Sequence, residues 1–199
     1  SAPAGNLPAF ADLDAVVWNG QFRLFALTNG GGPLAVYDSA GTVLSRTSLP
    51  GSLGYLTSAQ LEVLGTSGGA VAVPFGLSNS RTGVMQLSAN GTVSGPVSYG
   101  GGAASPADLR VVTTLTLGET GFVFGAPVLA GRIAAFRAET GGTLVPLGEV
   151  QLATSLTAPV SAIAAAQVPG GAILVSATAG GRPGIYVHDI GPSGSLTAR

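Results

Sequence analysis

Residues 34–44 read Leu34-Ala-Val-Tyr-Asp-Ser-Ala-Gly41-Thr-Val-Leu44, which is an apolar segment, a polar turn that ends in Gly, and a second apolar segment. A tight turn between two strands needs a residue that tolerates a positive φ angle. Gly adopts that conformation without strain at Cβ. The segment therefore predicts a β-hairpin whose turn ends at Gly41.

The same pattern occurs three more times along the chain. The other copies read Val84-Met-Gln-Leu-Ser-Ala-Asn-Gly91-Thr-Val93, Ala135-Phe-Arg-Ala-Glu-Thr-Gly-Gly142-Thr-Leu-Val145 and Val187-His-Asp-Ile-Gly-Pro-Ser-Gly194-Ser-Leu-Thr197. The turn glycines at 41, 91, 142 and 194 are separated by 50, 51 and 52 residues. A period of this length indicates a protein built from repeated copies of one structural unit.

Each copy supplies four short candidate strands around its turn. They span residues 14–19, 21–28, 33–38 and 42–49 in the first copy, and 61–66, 70–77, 82–88 and 92–99 in the second. The third copy offers 110–117, 121–128, 132–138 and 143–152, and the fourth 162–168, 172–178, 184–190 and 195–199. No segment has a sustained helical periodicity, because Gly, Pro and β-branched residues interrupt every candidate. The sequence predicts an all-β protein made of four-stranded antiparallel β-propeller blades.

The four blades form one predicted domain over residues 1–199, with blades at about 10–51, 57–101, 105–152 and 159–199. The last blade has only Ser195–Arg199 for its outer strand. A closed ring of four blades would need the leading segment 6–10 to complete that blade. We therefore expect a partial ring that other chains, a second copy or further blades complete.

The strand-turn-strand unit resembles the blades of lactonase-like and related bacterial propellers. The segment from Gly184 to Thr197 carries the resemblance best, and the likeness extends over nearly all of the chain. The weakly charged, Ala- and Gly-rich blades also resemble propeller modules of secreted repeats-in-toxin proteins. The Gly-Gly-X-Gly-X-Asp calcium repeat of those proteins is absent from this sequence. The resemblance implies a bacterial protein that acts outside the cell or at its surface.

The composition excludes several classes of function. The chain has 8 Arg, no Lys and 9 acidic residues, a net charge of −1, which provides no field to attract nucleic acid. It has no Cys, so disulfides, thiol nucleophiles and zinc-thiolate sites are excluded. Its apolar runs are too short to span a bilayer. We expect neither a nucleic-acid partner nor membrane insertion.

Polar residues flank a Leu at the start of three copies, in Asp12-Leu13-Asp14, Gln60-Leu61-Glu62 and Asp108-Leu109-Arg110. The leucines are 48 residues apart, and innermost propeller strands line the central channel. Carboxylates that converge at the channel mouth are the oxygen ligands that Ca²⁺ prefers. The candidate metal ligands are Asp12, Asp14, Glu62 and Asp108, with Arg110 beside them. The alternative is that these side chains are solvated or make local turn bonds.

His188 is the only histidine, so any Ser-His-Asp mechanism would have to use it. Alignment on the turn glycines places His188 level with Met85 and Phe136, on an apolar face that packs between blades. Asp189 falls on the opposite face because side chains alternate along a strand. We expect a buried imidazole that is hydrogen-bonded to a neighbour, and we assign no catalytic residue.

The leading hypothesis is a non-enzymatic extracellular module that uses the propeller for binding or assembly. Sparse surface charge and open sheet edges favour burial against a partner. That partner would be another protein chain, the remaining blades of the ring, or a surface glycan. No cofactor is expected apart from Ca²⁺ at the channel acids. The alternative is a lactonase-like, metal-dependent hydrolase that acts at the channel mouth.

Overall fold

The computed structural model describes residues 10–18, 20–28, 32–48, 59–66, 69–76, 84–87, 92–97, 109–127, 131–139, 143–152, 159–179 and 183–199. Within these ranges the chain forms β-strands and no helix, and thus no helix able to cross a membrane. The strands make four antiparallel sheets of four strands, each in chain order. The protein is all-β and built of propeller blades, as the repeat predicts.

Each blade is a meander of four consecutive strands. Blade 1 contains β1 (Phe10–Trp18), β2 (Gln21–Thr28), β3 (Leu34–Tyr37) and β4 (Val43–Thr47). Blade 2 contains β5 (Ala59–Thr66), β6 (Gly69–Gly76), β7 (Val84–Leu87) and β8 (Val93–Val97). Blade 3 contains β9 (Leu109–Leu117), β10 (Thr120–Pro127), β11 (Arg132–Ala138) and β12 (Leu144–Gln151). Blade 4 contains β13 (Val160–Val168), β14 (Gly171–Thr178), β15 (Gly184–Ile190) and β16 (Leu196–Ala198).

Each predicted strand overlaps a strand of the structure, and the differences lie at the ends. β1 begins at Phe10 rather than at residue 14, because a bulge after Phe10 lets the pairing with β2 continue. β16 has three residues, yet it pairs with β15 and gives blade 4 its fourth strand. Blade 4 therefore has four strands, all of them between residues 160 and 198.

Side chains alternate between the two faces of each blade, so every blade has a forward face toward the next blade and a backward face toward the preceding one. Three apolar clusters fill the three junctions between consecutive blades. Phe25 of blade 1 packs with Met85 of blade 2, and Leu64 of blade 2 packs with Phe136 of blade 3. Phe122 of blade 3 packs with Leu174 of blade 4.

The innermost strands lie side by side in the order β1, β5, β9 and β13. Among the described residues, β13 and β1 share no contact as extensive as those between consecutive inner strands. The four blades therefore form an arc with two outer sheet faces, on which large apolar side chains are exposed, although Ala26 and Ala35 on the backward face of blade 1 are buried. The blade 4 end face is the forward face of blade 4, and the blade 1 end face is the backward face of blade 1.

Candidate functional site

The inner strands can be aligned from their hairpins, because a two-residue turn follows each of them. The last residues before these turns are Trp18, Thr66, Leu117 and Val168. The residues four positions before these are equivalent to one another in the four blades, and they are Asp14, Glu62, Thr113 and Ala164. The structural period between blades 2 and 3 is thus 51 residues, from 62 to 113.

The prediction that Asp108 and Arg110 repeat the positions of the other channel acids is wrong at Arg110. Leu61 lies five residues before its hairpin and Leu109 lies eight before its own, so their spacing of 48 residues does not follow the structural repeat. Arg110 lies three residues before the level of Glu62. Asp108 lies outside the described residues, as does the side chain of Arg110.

Asp12 and Asp14 use both carboxylate oxygens as hydrogen-bond acceptors. Asp12 Oδ2 accepts from the backbone N–H of Leu61 at 2.8 Å, and Asp14 Oδ2 accepts from that of Val63 at 2.6 Å. The Oδ1 atoms accept from the N–H groups of Leu13 and Ala15, at 2.9 and 2.7 Å. Each carboxylate therefore binds one N–H of β1 and one N–H of β5.

The geometry of an inner strand explains these bonds. β5 pairs on one side with β6, so its opposite edge has backbone groups without a strand partner. A buried N–H without an acceptor costs about 1–3 kcal/mol. The two aspartates supply acceptors at this edge across the junction between the blades, and they therefore tie blade 1 to blade 2.

Glu62 occupies the position of Asp14 one blade further along, and it accepts hydrogen bonds from Thr114 of blade 3, with the side-chain Oγ1 at 3.4 Å from Oε2. The pKa of Glu62 is raised to about 7, chiefly by burial and in addition by the negative charge of Asp14. Burial also raises the pKa of Asp14. The inner strands of blades 1 and 2 thus hold carboxyls that bind protons more tightly than free ones.

Other polar side chains reach from the inner strand of one blade to backbone carbonyls of the preceding blade. Thr114 and Thr116 donate from Oγ1 to the carbonyls of Val63 and Gly65, at 3.2 and 3.0 Å. Gln167 of blade 4 donates from Nε2 to the carbonyl of Thr116 at 2.6 Å. Sequence reasoning missed these residues, although polar side chains on otherwise apolar inner strands are a usable signal.

The described acids do not form a ready calcium site. No group of three or more His, Cys, Asp or Glu able to hold a metal exists within the ranges that the structure describes. The oxygens of Asp12 and Asp14 already accept backbone N–H groups. A metal would have to compete with these bonds, so the residues present fit a structural role better than a metal site.

His188 is buried, 2% exposed, and lies opposite Leu174 on the backward face of blade 4. Burial lowers its pKa. The burial agrees with the prediction from sequence, and Nδ1 has no hydrogen-bond partner in the described part of the chain. Asp189 is exposed on the other face, where it pairs with Arg199 at 3.3 Å. Thus His188 and Asp189 do not form a catalytic pair.

The large hydrophobic side chains that are exposed within the described ranges all belong to the end blades. In blade 1 they are Leu13, Val17, Phe22, Val43 and Leu44, and in blade 4 the single case is Ile185. Val17 is 69% exposed and Ile185 is 76% exposed. Apolar surface of this kind marks sites of protein contact. The two end faces are therefore the second candidate site.

No family model matches this chain, and no curated protein matches its sequence. Solved structures do match its fold. A functionally unknown protein from Desulfotomaculum acetoxidans matches with a TM-score of 0.63 at 15% identity, over 96% of this chain and 55% of that one. Virginiamycin B lyase from Staphylococcus aureus matches with a TM-score of 0.52 at 13% identity, over 93% of this chain and 54% of the lyase.

An endo-arabinase from Bacteroides thetaiotaomicron matches with a TM-score of 0.53 at 13% identity, over 98% of this chain and 80% of the enzyme. This chain spans about half the length of the Desulfotomaculum protein and of the lyase. Identities this low carry information on fold and none on activity. Together with the four sheets, the likenesses show that the chain has the fold of a β-propeller.

Proposed function

We propose that this protein is a non-enzymatic β-propeller module that acts by assembly, with its two end faces as the binding surfaces. One observation carries the proposal: large apolar side chains are exposed on the end blades, at faces that correspond to the buried faces between blades. Burying such surface releases about 25 cal/mol per Å². A protein surface is therefore the favoured partner.

The same observation favours protein over glycan as the partner. Sugar sites combine aromatic faces with directed polar groups. On the blade 4 end face the side chains of Ile173, Val175, Ile185 and Val187 are aliphatic. Aliphatic side chains recognise sugar hydroxyls poorly, and they pack well against another sheet.

We place this module outside the cell, as part of a bacterial secreted or surface protein. Support comes from the resemblance of the blades to secreted propeller modules. Immunoblotting of culture supernatant, surface-labelled cells and cell lysate tests the location. Confinement of the protein to the lysate would contradict it.

The native mass and the denaturing mass of the protein isolated from its source test the proposed function. We expect a particle that contains more than one four-blade unit, another polypeptide, or further blades in the same polypeptide. A particle of one 19.4 kDa chain in both measurements would overturn the proposal.

The alternative function is a metal-dependent hydrolase of the lactonase-like kind. Its support is that Asp14 lies close enough to Glu62 for its charge to raise the pKa of Glu62. Calorimetric titration of the chain with CaCl₂ decides between the two functions. Tight binding that Asp14→Ala and Glu62→Ala both abolish would favour the hydrolase, and no heat of binding would exclude a calcium-dependent one.

A further inference from the structure

We propose that the blade 4 end face binds the blade 1 end face of a second copy of this chain, and that two such contacts close one ring of eight blades. This inference rests on the proposed function, because it names the partner of the same two surfaces. The pattern of faces, the hydrogen bonds of the inner strands, and the sizes of the side chains support it.

The first step is the pattern of faces. At each junction inside the chain, the forward face of one blade packs on the backward face of the next. The forward face of blade 4 and the backward face of blade 1 are the two faces on which no other described blade packs, and both carry exposed apolar side chains. A contact between blade 4 of one copy and blade 1 of another would repeat the arrangement that the chain already uses three times.

The second step concerns the backbone N–H groups at the inner edge of blade 1. In blade 2, the N–H groups of Leu61 and Val63 donate to carboxylate oxygens of the preceding blade, those of Asp12 and Asp14. In blade 1, the equivalent N–H groups donate instead to Asp12 and Asp14 of the same strand. Blade 1 therefore needs no carboxylate from a blade that precedes it.

Blade 4 offers no carboxylate at this edge. The positions of Asp12 and Asp14 are occupied in β13 by Ala162 and Ala164, which have no side-chain acceptor. A partner whose inner-edge N–H groups lacked acceptors would leave them unpaired on this face. In the inner strand of blade 1 the N–H groups of Leu13 and Ala15 already have acceptors. Blade 1 can therefore pack on blade 4, which supplies no acceptor.

The third step is the fit of side-chain size. The blade 4 end face has small or short side chains along its inner strand, and its lining residues are Ala164, Ala166, Ile173, Val175, Ile185 and Val187. The blade 1 end face projects larger ones, and its lining residues are Leu13, Ala15, Val17, Phe22, Leu24 and Val43. Large side chains that meet small ones interdigitate without strain.

Arcs of this length occur within longer chains of the same fold. This chain covers 55% of the Desulfotomaculum protein, 54% of the lyase and 80% of the endo-arabinase. A contact between two different faces closes into a ring only if the rotation per copy fits, and two copies need half a turn each.

Sedimentation of the full recombinant chain, alone and over a range of concentrations, is the experiment. We expect a particle of twice the 19.4 kDa chain mass. Val17→Asp alters the blade 1 end face and Ile185→Asp alters the blade 4 end face, and each should raise the dissociation constant by at least about tenfold. Ser39→Asp and Ser193→Asp, which add the same charge at exposed hairpin turns of these blades, should leave it unchanged.

Mixing the two face variants gives the decisive result. A mixed dimer of Val17→Asp with Ile185→Asp contains one junction of unaltered side chains, so the mixture should associate while each variant alone stays monomeric. A monomer at every concentration, a dimer insensitive to Ile185→Asp, an open polymer, or a folded mixture without association would each overturn the inference. Circular dichroism confirms folding, and Phe22→Ser replaces Val17→Asp if that variant does not fold.

The proposed function can fail independently of this inference. A recombinant monomer together with a particle from the natural source that contains another polypeptide or further blades contradicts the second copy and supports assembly. A single chain from the natural source contradicts both.

Discussion

The junction between blades 1 and 2 and the junction between blades 3 and 4 join equivalent faces of the same sheet unit with different interactions. The first has two buried-edge carboxylates, Asp12 and Asp14, that accept N–H groups of β5. Among the described residues, the second has one side-chain hydrogen bond between inner strands, which Gln167 donates. It also has a larger apolar cluster around Phe122 and Phe124, whose ring centroids are 6.3 Å apart.

The difference shows that a repeated backbone does not require repeated interactions. Where the inner strand carries carboxyls, burial raises pKa values and the junction responds to pH. Where the inner strands carry no carboxyl and the blades meet through aromatic rings, stability depends on packing. Substitutions at the two junctions should therefore differ in kind as well as in size.

The largest effect is expected from Phe122→Ala, which removes a ring that is 1% exposed between blades 3 and 4. We expect the free energy of unfolding to fall by about 3–5 kcal/mol, because the transfer energy is lost and a cavity remains. Urea denaturation followed by circular dichroism measures it. Phe122→Leu is the matched control and should lose less than about 1.5 kcal/mol; equal losses would show that the ring is not packed as described.

Alanine substitutions at two turn glycines separate the cost of backbone strain from the cost of packing at the junction between blades 3 and 4. Gly41 and Gly194 have φ angles of 79° and 83°, so Ala at either position should cost about 1–2 kcal/mol for the left-handed conformation. A Cβ on Gly194 would also lie 2.5 Å from the Phe122 ring, whereas one on Gly41 meets nothing within 4 Å.

Gly194→Ala should therefore destabilise the chain by about 1–3 kcal/mol more than Gly41→Ala. Chemical denaturation of the two variants side by side gives the difference. Equal destabilisation would mean that the turn of blade 4 does not rest on blade 3.

Asp14→Ala probes the carboxylate junction. It leaves the N–H groups of Val63 and Ala15 without their acceptor, and we expect a loss of about 1–3 kcal/mol in the free energy of unfolding. Asp189→Ala, which removes an exposed ion pair with Arg199, serves as control and should change stability by less than about 1 kcal/mol. A loss at Asp14 no larger than at Asp189 would contradict the structural role of Asp14.

The smallest expected effect is the pH dependence due to Glu62. Its pKa is raised from 4.5 to about 7 in the folded chain, so the folded state binds the proton more tightly than the unfolded state. The stabilisation is complete below pH 4.5 and is lost as the pH rises through 7. We expect a loss of about 1–2 kcal/mol over this range, with allowance for solvent screening.

Thermal denaturation of the wild type and of Glu62→Gln at several pH values between 4 and 8 measures this loss. The difference between the two proteins isolates Glu62 from His188, whose lowered pKa acts in the opposite direction as the pH falls. A constant difference across the range would show that the folded chain does not hold the Glu62 proton.

The fold could be predicted from the sequence because its signals are local. Gly41 and Gly194 have the positive φ that their turns require, and the strands on either side of them are close to the predicted ones. The prediction also placed Asp14 and Glu62 on inner strands, where the structure has them, while Asp12 lies on a strand that begins earlier than predicted. Periodicity and turn chemistry act over a few residues, which a single sequence displays directly.

The partners of those acids could not be predicted, because they depend on how one blade lies against the next. Asp14 binds the N–H of Val63, 49 residues away, and only the packed junction fixes this pairing. The spacing of Leu61 and Leu109 suggested a ring of acids at one level. β9 starts further from its hairpin than β5 does, and a bulge at the Ala126–Pro127 end of its pairing shifts the register there.

The hydrogen bonds of Asp12 and Asp14 have a consequence for the order of the blades. Repeat proteins with nearly identical units risk misfolding in which a unit pairs with the wrong neighbour. Blade 2 receives the acceptors its inner edge needs from blade 1, whereas blade 4 has Ala162 and Ala164 at the corresponding positions. A blade order in which blade 4 preceded blade 2 would leave two N–H groups unpaired. The inner strands therefore favour blade 1 over blade 4 as the blade that precedes blade 2.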